Sequence, residues 1–210
     1  MNKTLSSLVA ATTMLIAAPT IANATSVTVG YQQWSLATPI VFQHTTHPDD
    51  SFLIGSPGTT QVDSASALFF DIEGSKRSGA FEPYFGAGLD LYVSKKDMHQ
   101  NDNDPRPAAN GAFVYSKVAP FGAHVNAGVR IFPVKTSGFF LDAALSGATF
   151  GVESGWDRYS KEQVERKTNS TLGLFGGGIG WKDEGMTIVG KYQRATNKAS
   201  VVTLSCGYNF

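Results

Sequence analysis

A chain of 210 residues with 17 Lys+Arg against 17 Asp+Glu has no basic excess, and this argues against nucleic-acid binding. Its one cysteine, Cys206, excludes an intramolecular disulfide, and the lack of a CxxC or Cys/His cluster removes the usual structural zinc site. Only 16% of the residues are charged, against roughly 25% in soluble domains, while 22 Gly and 14 Phe are present.

Residues 1–24 read as a cleaved secretory signal peptide. Lys3 is the only charge there; the apolar run Leu8 to Ala18 is broken by Pro19, and Ala22-Asn23-Ala24 ends the segment. The run is too short to span a bilayer, which takes about 20 apolar residues. Residues 25–210 are then one domain. Loss of Lys3 leaves 16 basic against 17 acidic side chains. No later segment approaches a membrane helix.

From residue 26 onward the chain alternates with period two in eight segments. Strands are expected at about 26–34, 65–73, 81–93, up to 132 from 121, 139–150, 170–181, 186–194 and 200–210. In the third, Phe81, Phe85, Ala87, Leu89, Leu91 and Val93 alternate with Tyr84, Gly86, Gly88, Asp90 and Tyr92. In the sixth, the glycines between Phe175 and Gly180 leave the facing open. One face of each strand is apolar, and the other is polar and rich in glycine. Such alternation fits a membrane β-barrel, with lipid outside and a filled lumen inside.

The connections sort by length. About 28 residues (35–62), 19 (94–112) and 19 (151–169) fall on one side of the sheet; 74–80, 133–138 and 182–185 fall on the other. Outer-membrane barrels have this asymmetry of long outer loops and short periplasmic turns. A sheet in lipid must close on itself, because lipid offers no partner to a free N–H or C=O. The expected fold is therefore all-β: a closed, antiparallel, eight-stranded transmembrane barrel of up-and-down meander topology.

The last segment, Val202 to Phe210, resembles the terminal-strand signal of bacterial outer-membrane proteins, with Tyr208 and Phe210 at the matching positions and Cys206 departing from the usual larger apolar residue. Pro83-Tyr84-Phe85-Gly86-Ala87-Gly88-Leu89 and Asn126-Ala127-Gly128-Val129-Arg130 look like strand phrases of the small OmpA/OmpX/opacity-type barrels. The resemblance covers the chain from residue 25 onward as an architecture. It implies location in the bacterial outer membrane, contact with outer-membrane lipid, and recognition of Tyr208 and Phe210 by the barrel-assembly machinery. No peptidoglycan-binding domain of the full-length OmpA sort is expected.

The inward positions hold the candidate site residues. Asp71, Glu73, Asp90, His124, Arg130, Asp142 and Lys191 are expected to form an interior polar network, since buried charges need partners. The same charges offer the alternative of a narrow solute or ion path, against which stands the small bore of eight strands. His124 with Ser146 and Asp142 raises the further alternative of a lipid-modifying enzyme, although no local motif of such enzymes surrounds it. Gly173 to Gly180 lacks the ending of a phosphate loop and reads as barrel wall. His44, His47, Asp49 and Asp50 read as solvated loop rather than a metal site. No catalytic residue, cofactor or metal is assigned. The expected role is structural or surface-interacting, with external ligands or host surfaces met through 35–62, 94–112 and 151–169, where Trp156 to Glu162 combines aromatic and charged residues.

Overall fold

A computed structural model describes residues 24–43, 59–93, 97–100, 112–134, 138–158, 161–196 and 198–210. The segment expected to be a signal peptide lies outside these, except for its last residue, and so do His44, His47, Asp49 and Asp50.

Among the described residues ten strands form one antiparallel sheet: β1 (Ala24–Gln43), β2 (Thr59–Ser75), β3 (Phe81–Val93), β4 (Asp97–Gln100), β5 (Ala112–Val118), β6 (Phe121–Ile131), β7 (Phe139–Arg158), β8 (Lys161–Lys182), β9 (Met186–Ala195) and β10 (Ser200–Asn209). The order β7-β6-β3-β2-β1-β10-β9-β8 returns to β7 through the β7–β8 pairing, so eight strands close a barrel. β4 and β5 are a hairpin added to β7 beyond the end of β6. Closure leaves no free strand edge in the wall.

The period-two sequence sets the facing. Along β10, Val201, Thr203 and Ser205 are buried while Val202, Leu204 and Tyr208 are more than half exposed. Parity settles β8 as well: Leu172, Leu174, Gly176, Gly178 and Gly180 point inward, and Phe175, Ile179 and Trp181 point outward. The outer surface is an apolar belt. From Phe81 to Leu91, ten residue steps of β3 cover about 34 Å along the strand, or about 25 Å of height at a tilt of about 40°. Aromatic side chains gather at both margins, with Phe81, Phe139, Trp181 and Tyr208 at the short-turn end and Tyr31, Phe121 and Tyr192 at the other.

Two expectations require correction. The long connections are shorter than 35–62, 94–112 and 151–169, because strand pairing continues beyond the belt. β1 and β2 remain paired to Gln43↔Thr59, β7 and β8 to Arg158↔Lys161, and part of 94–112 forms β4 and the first residue of β5. In particular, 156–158 and 161–162 are strand rather than loop. The second correction concerns the lumen, which is not polar throughout. Its loop-end half is an apolar core of Trp34, Val62, Tyr92, Val118, Phe150, Val152, Leu172 and Leu174, among others. Above the belt β2 packs against β5 and β4, so inward positions there meet another sheet layer and favour apolar side chains.

Glycine makes room inside. A Cβ on Gly128 would stand 2.5 Å from the Tyr84 hydroxyl oxygen, and one on Gly88 would stand 2.7 Å from the His124 ring. At those positions the interior admits a large polar side chain only because its paired residue on the adjacent strand has none, Gly128 beside Tyr84 and Gly88 beside His124.

Candidate functional site

The lumen is layered from turn end to loop end. At the turn end Phe132, Phe140 and Val189 form a small apolar cluster, and the Arg77 guanidinium lies 3.8 Å from the Phe132 ring centre. Next comes a charged layer. Arg130 on β6 places Nη2 2.6 and 2.7 Å from the two carboxylate oxygens of Glu73 on β2, and Nη1 2.9 Å from Glu82 on β3. Glu82 also receives Lys182 at 2.7 Å. The Arg130 guanidinium lies over the Tyr84 ring, 4.4 Å from its centre. Beside it Tyr84 donates to Asp142 at 2.9 Å, and Lys191 pairs with Asp142 at 2.8 Å while donating to the Tyr84 oxygen at 2.9 Å.

A second polar layer surrounds His124. Its Nδ1 lies 3.0 Å from Asp90 and its Nε2 3.7 Å from Asp71. Asn126 Nδ2 donates to Asp71, and the Phe69 ring meets the imidazole edge to face at 5.5 Å. All seven residues singled out as an interior set are inward, and they divide into two groups: Glu73, Arg130, Asp142 and Lys191 in one, Asp71, Asp90 and His124 in the other. Sequence reasoning did not include Glu82, Tyr84 and Lys182. Parity was the available signal, because Glu82 and Tyr84 share the inward register of Asp90, and Lys182 that of Gly180.

The loop-end layer closes on an aromatic trio. The Trp34 ring centre is 6.3 Å from that of Tyr92 and 5.9 Å from that of Phe150. The lumen cavity has about 50 Å³, bounded by Trp34, Phe69, Asp71, His124, Arg130 and Lys191 among others. That is room for a few waters and far below a solute channel. Apolar clusters bound the polar layers at both ends, so the described lumen offers no continuous polar path.

A catalytic grouping around His124 is not assembled. His124 is occupied by Asp90 and Asp71. Ser146 accepts from Gln193 at 3.0 Å, and Asp142 is held by Tyr84 and Lys191. Among the described residues no three His, Cys, Asp or Glu side chains are placed to hold a metal.

The remaining candidate surface is the loop-end rim, which is uneven. β10 and β9 stop at the short link 196–199, while β1, β2, β7 and β8 continue past them. β8 pairs with β9 only from Leu174 onward, and β1 pairs with β10 only as far as Ser35. Among the described residues, β8 from Lys161 to Leu172 and β1 from Leu36 to Gln43 therefore each have one edge without a partner strand. Pro39, which has no N–H to give, lies in the second. On the outer face of β7–β8, Lys167 pairs with Glu153 at 2.9 Å.

No family model matches the chain, and no curated protein matches it. Solved structures similar to it include the attachment invasion locus protein Ail of Yersinia pestis in complex with the heparin analogue sucrose octasulfate, at 13% identity and TM-score 0.48, covering 90% of this chain and 99% of that one. Neisserial surface protein A is similar at 10% identity and TM-score 0.34, covering 89% and 94%. The outer membrane protein Ail in a phospholipid bilayer nanodisc is similar at 12% identity and TM-score 0.30, covering 89% and 99%.

Proposed function

We propose that the protein is a non-catalytic barrel of the bacterial outer membrane whose raised loop-end rim engages external ligands or host surfaces. The observation that carries this reading is the rim itself. Two extended strands with unpaired backbone edges flank the low β9–β10 wall, and such an edge is a template for an added strand. The apolar belt, its aromatic margins and the closed sheet support placement in a bilayer. The two interior polar layers serve to fill and lock the barrel rather than to conduct or catalyse. Export follows from 1–24 acting as a cleaved signal, and Tyr208 with Phe210 serves as the assembly signal.

The test is binding of intact cells expressing the protein to immobilised extracellular-matrix proteins and to cultured host cells. The comparison is a variant in which 154–166 is replaced by a two-residue turn, cutting the hairpin back to the Glu153↔Lys167 pair. Retained heat-modifiable migration with lost binding is the expected result. Binding equal to that of vector-only cells before any change, or unaffected by the cut, counts against the reading.

A further inference from the structure

We infer that the turn end of the barrel carries a lipid site on its outer wall, selective for a phospholipid with a primary ammonium head group. The inference rests on placement in a bilayer, as proposed above.

The site is a groove of about 750 Å³ where β1, β10 and the β8–β9 turn meet. Val27 and Val29 form one wall, Tyr208 and Phe210 the other, with Met186 between them and the turn. In the register, Cys206 lies between Val29 on β1 and Ile188 on β9, and its short side chain leaves the groove open in a row of larger ones. Gly185 contributes in the same way, because the Tyr208 ring comes to 3.2 Å from where its Cβ would stand. A larger residue there would push Tyr208 away from the turn. Tyr208 and Phe210 pack edge to face with centres 5.1 Å apart, which gives that wall a fixed shape.

Length and charge identify the occupant. From Phe210 to Cys206 the groove runs four residue steps, about 13 Å along the strand or about 10 Å of depth at the same tilt. One leaflet of a bilayer whose hydrocarbon core is about 30 Å thick offers about 15 Å, so the groove takes the head-proximal part of a single acyl chain. Its rim is acidic. Asp183 and Glu184 are exposed at the turn, and Asp183 is held in place by accepting the Glu184 N–H at 2.8 Å. No cation among the described residues pairs with either carboxylate; Lys182, next in sequence, is turned inward to Glu82. An apolar slot that ends at two uncompensated carboxylates complements a lipid whose head carries N–H donors and positive charge, and repels one whose head is anionic.

The test is native mass spectrometry of the protein folded into vesicles of equal parts phosphatidylethanolamine and phosphatidylglycerol with matched acyl chains, then released in mild detergent. The expected result is a retained phosphatidylethanolamine adduct about tenfold over the phosphatidylglycerol one. Replacing phosphatidylethanolamine by phosphatidylcholine, whose head keeps the positive charge but has no N–H, lowers the preference over phosphatidylglycerol without abolishing it. The double variant Asp183→Asn, Glu184→Gln removes the preference, while Cys206→Phe fills the groove and removes the adduct. Heat-modifiable migration of each sample establishes folding. Failure to fold into vesicles overturns bilayer placement itself. A folded protein with equal adducts of both lipids, or a preference untouched by these variants, overturns the lipid site alone.

Discussion

Lys191 and Tyr84 meet across the full width of the lumen: the ammonium of one donates to the phenolic oxygen of the other at 2.9 Å. Their strands, β9 and β3, stand four apart in either direction around the eight-stranded wall. Asp142, on a third strand, takes up both, with Lys191 at 2.8 Å and Tyr84 at 2.9 Å. The three groups tie opposite sides of the barrel together, and Arg130 adds a parallel tie through Glu73 and Glu82.

Removing one member should therefore destabilise the barrel in proportion to the charge it strands. Tyr84→Phe leaves Asp142 paired to Lys191 and is expected to cost about 1–2 kcal/mol. Lys191→Met leaves a buried carboxylate without its cation and is expected to cost about 3–5 kcal/mol. Urea titration of the vesicle-folded protein, read by gel migration without heating, orders the two. Equal costs would mean that the lumen is solvated enough to screen the carboxylate.

His124→Ala should act on stability and not on lipid chemistry. It leaves Asp71 and Asp90 without the imidazole that lies between them, so the barrel weakens by about 3 kcal/mol or more. Adding Asp90→Asn recovers part of that loss, because one stranded charge is gone. The acyl pattern of membrane lipid from expressing cells is expected to be the same for vector, wild type and His124→Ala. A change produced by wild type and lost in the variant would reopen catalysis.

The loop-end aromatic trio should matter for folding and not as a gate. Phe150→Ala opens a cavity beside Trp34 and Tyr92 at a cost of about 3–5 kcal/mol. Planar-bilayer recordings of wild type and variant should both lack resolved conductance steps, since the charged layer around Arg130 still fills the bore. Steady single-channel steps from wild type would refute a closed lumen.

Lys198 has φ 68°, in the left-handed region that costs a side-chain-bearing residue of order 1 kcal/mol. It sits in the link where Ala195 N–H donates to the Ala199 carbonyl at 2.7 Å. Lys198→Gly relieves that strain but adds freedom to the unfolded chain. A net gain of up to about 1 kcal/mol in the same urea titration is expected, and a loss would show that the Lys198 side chain contributes contacts.

The barrel itself was legible in the sequence because its signal is local. In β3, β6 and β10, lipid-facing and lumen-facing residues alternate one by one, so parity alone reports which side each occupies, down to Asp90 and Arg130. Where the same parity carries apolar residues on both faces, as at Phe69, Trp34 and Phe150, or glycine on both, as along β8, alternation loses contrast. The loop-end core and the facing of β8 were hidden for that reason. The extended strands were hidden as well: 151–158 and 161–169 stand above the belt, where lipid does not select apolar side chains, and a polar stretch reads as loop unless the partner strand is known. Whether a long connection is a loop or a hairpin is decided by cross-strand hydrogen bonds between residues such as Glu153 and Lys167. Which buried charges meet is decided by closure, which places Lys191 opposite Tyr84 although 107 positions separate them along the chain. Periodicity, facing and the asymmetry of the two ends are local properties, and the order of residues carries them unaided. The pairing of buried groups is not local, since closure brings distant strands to opposite walls of one narrow lumen.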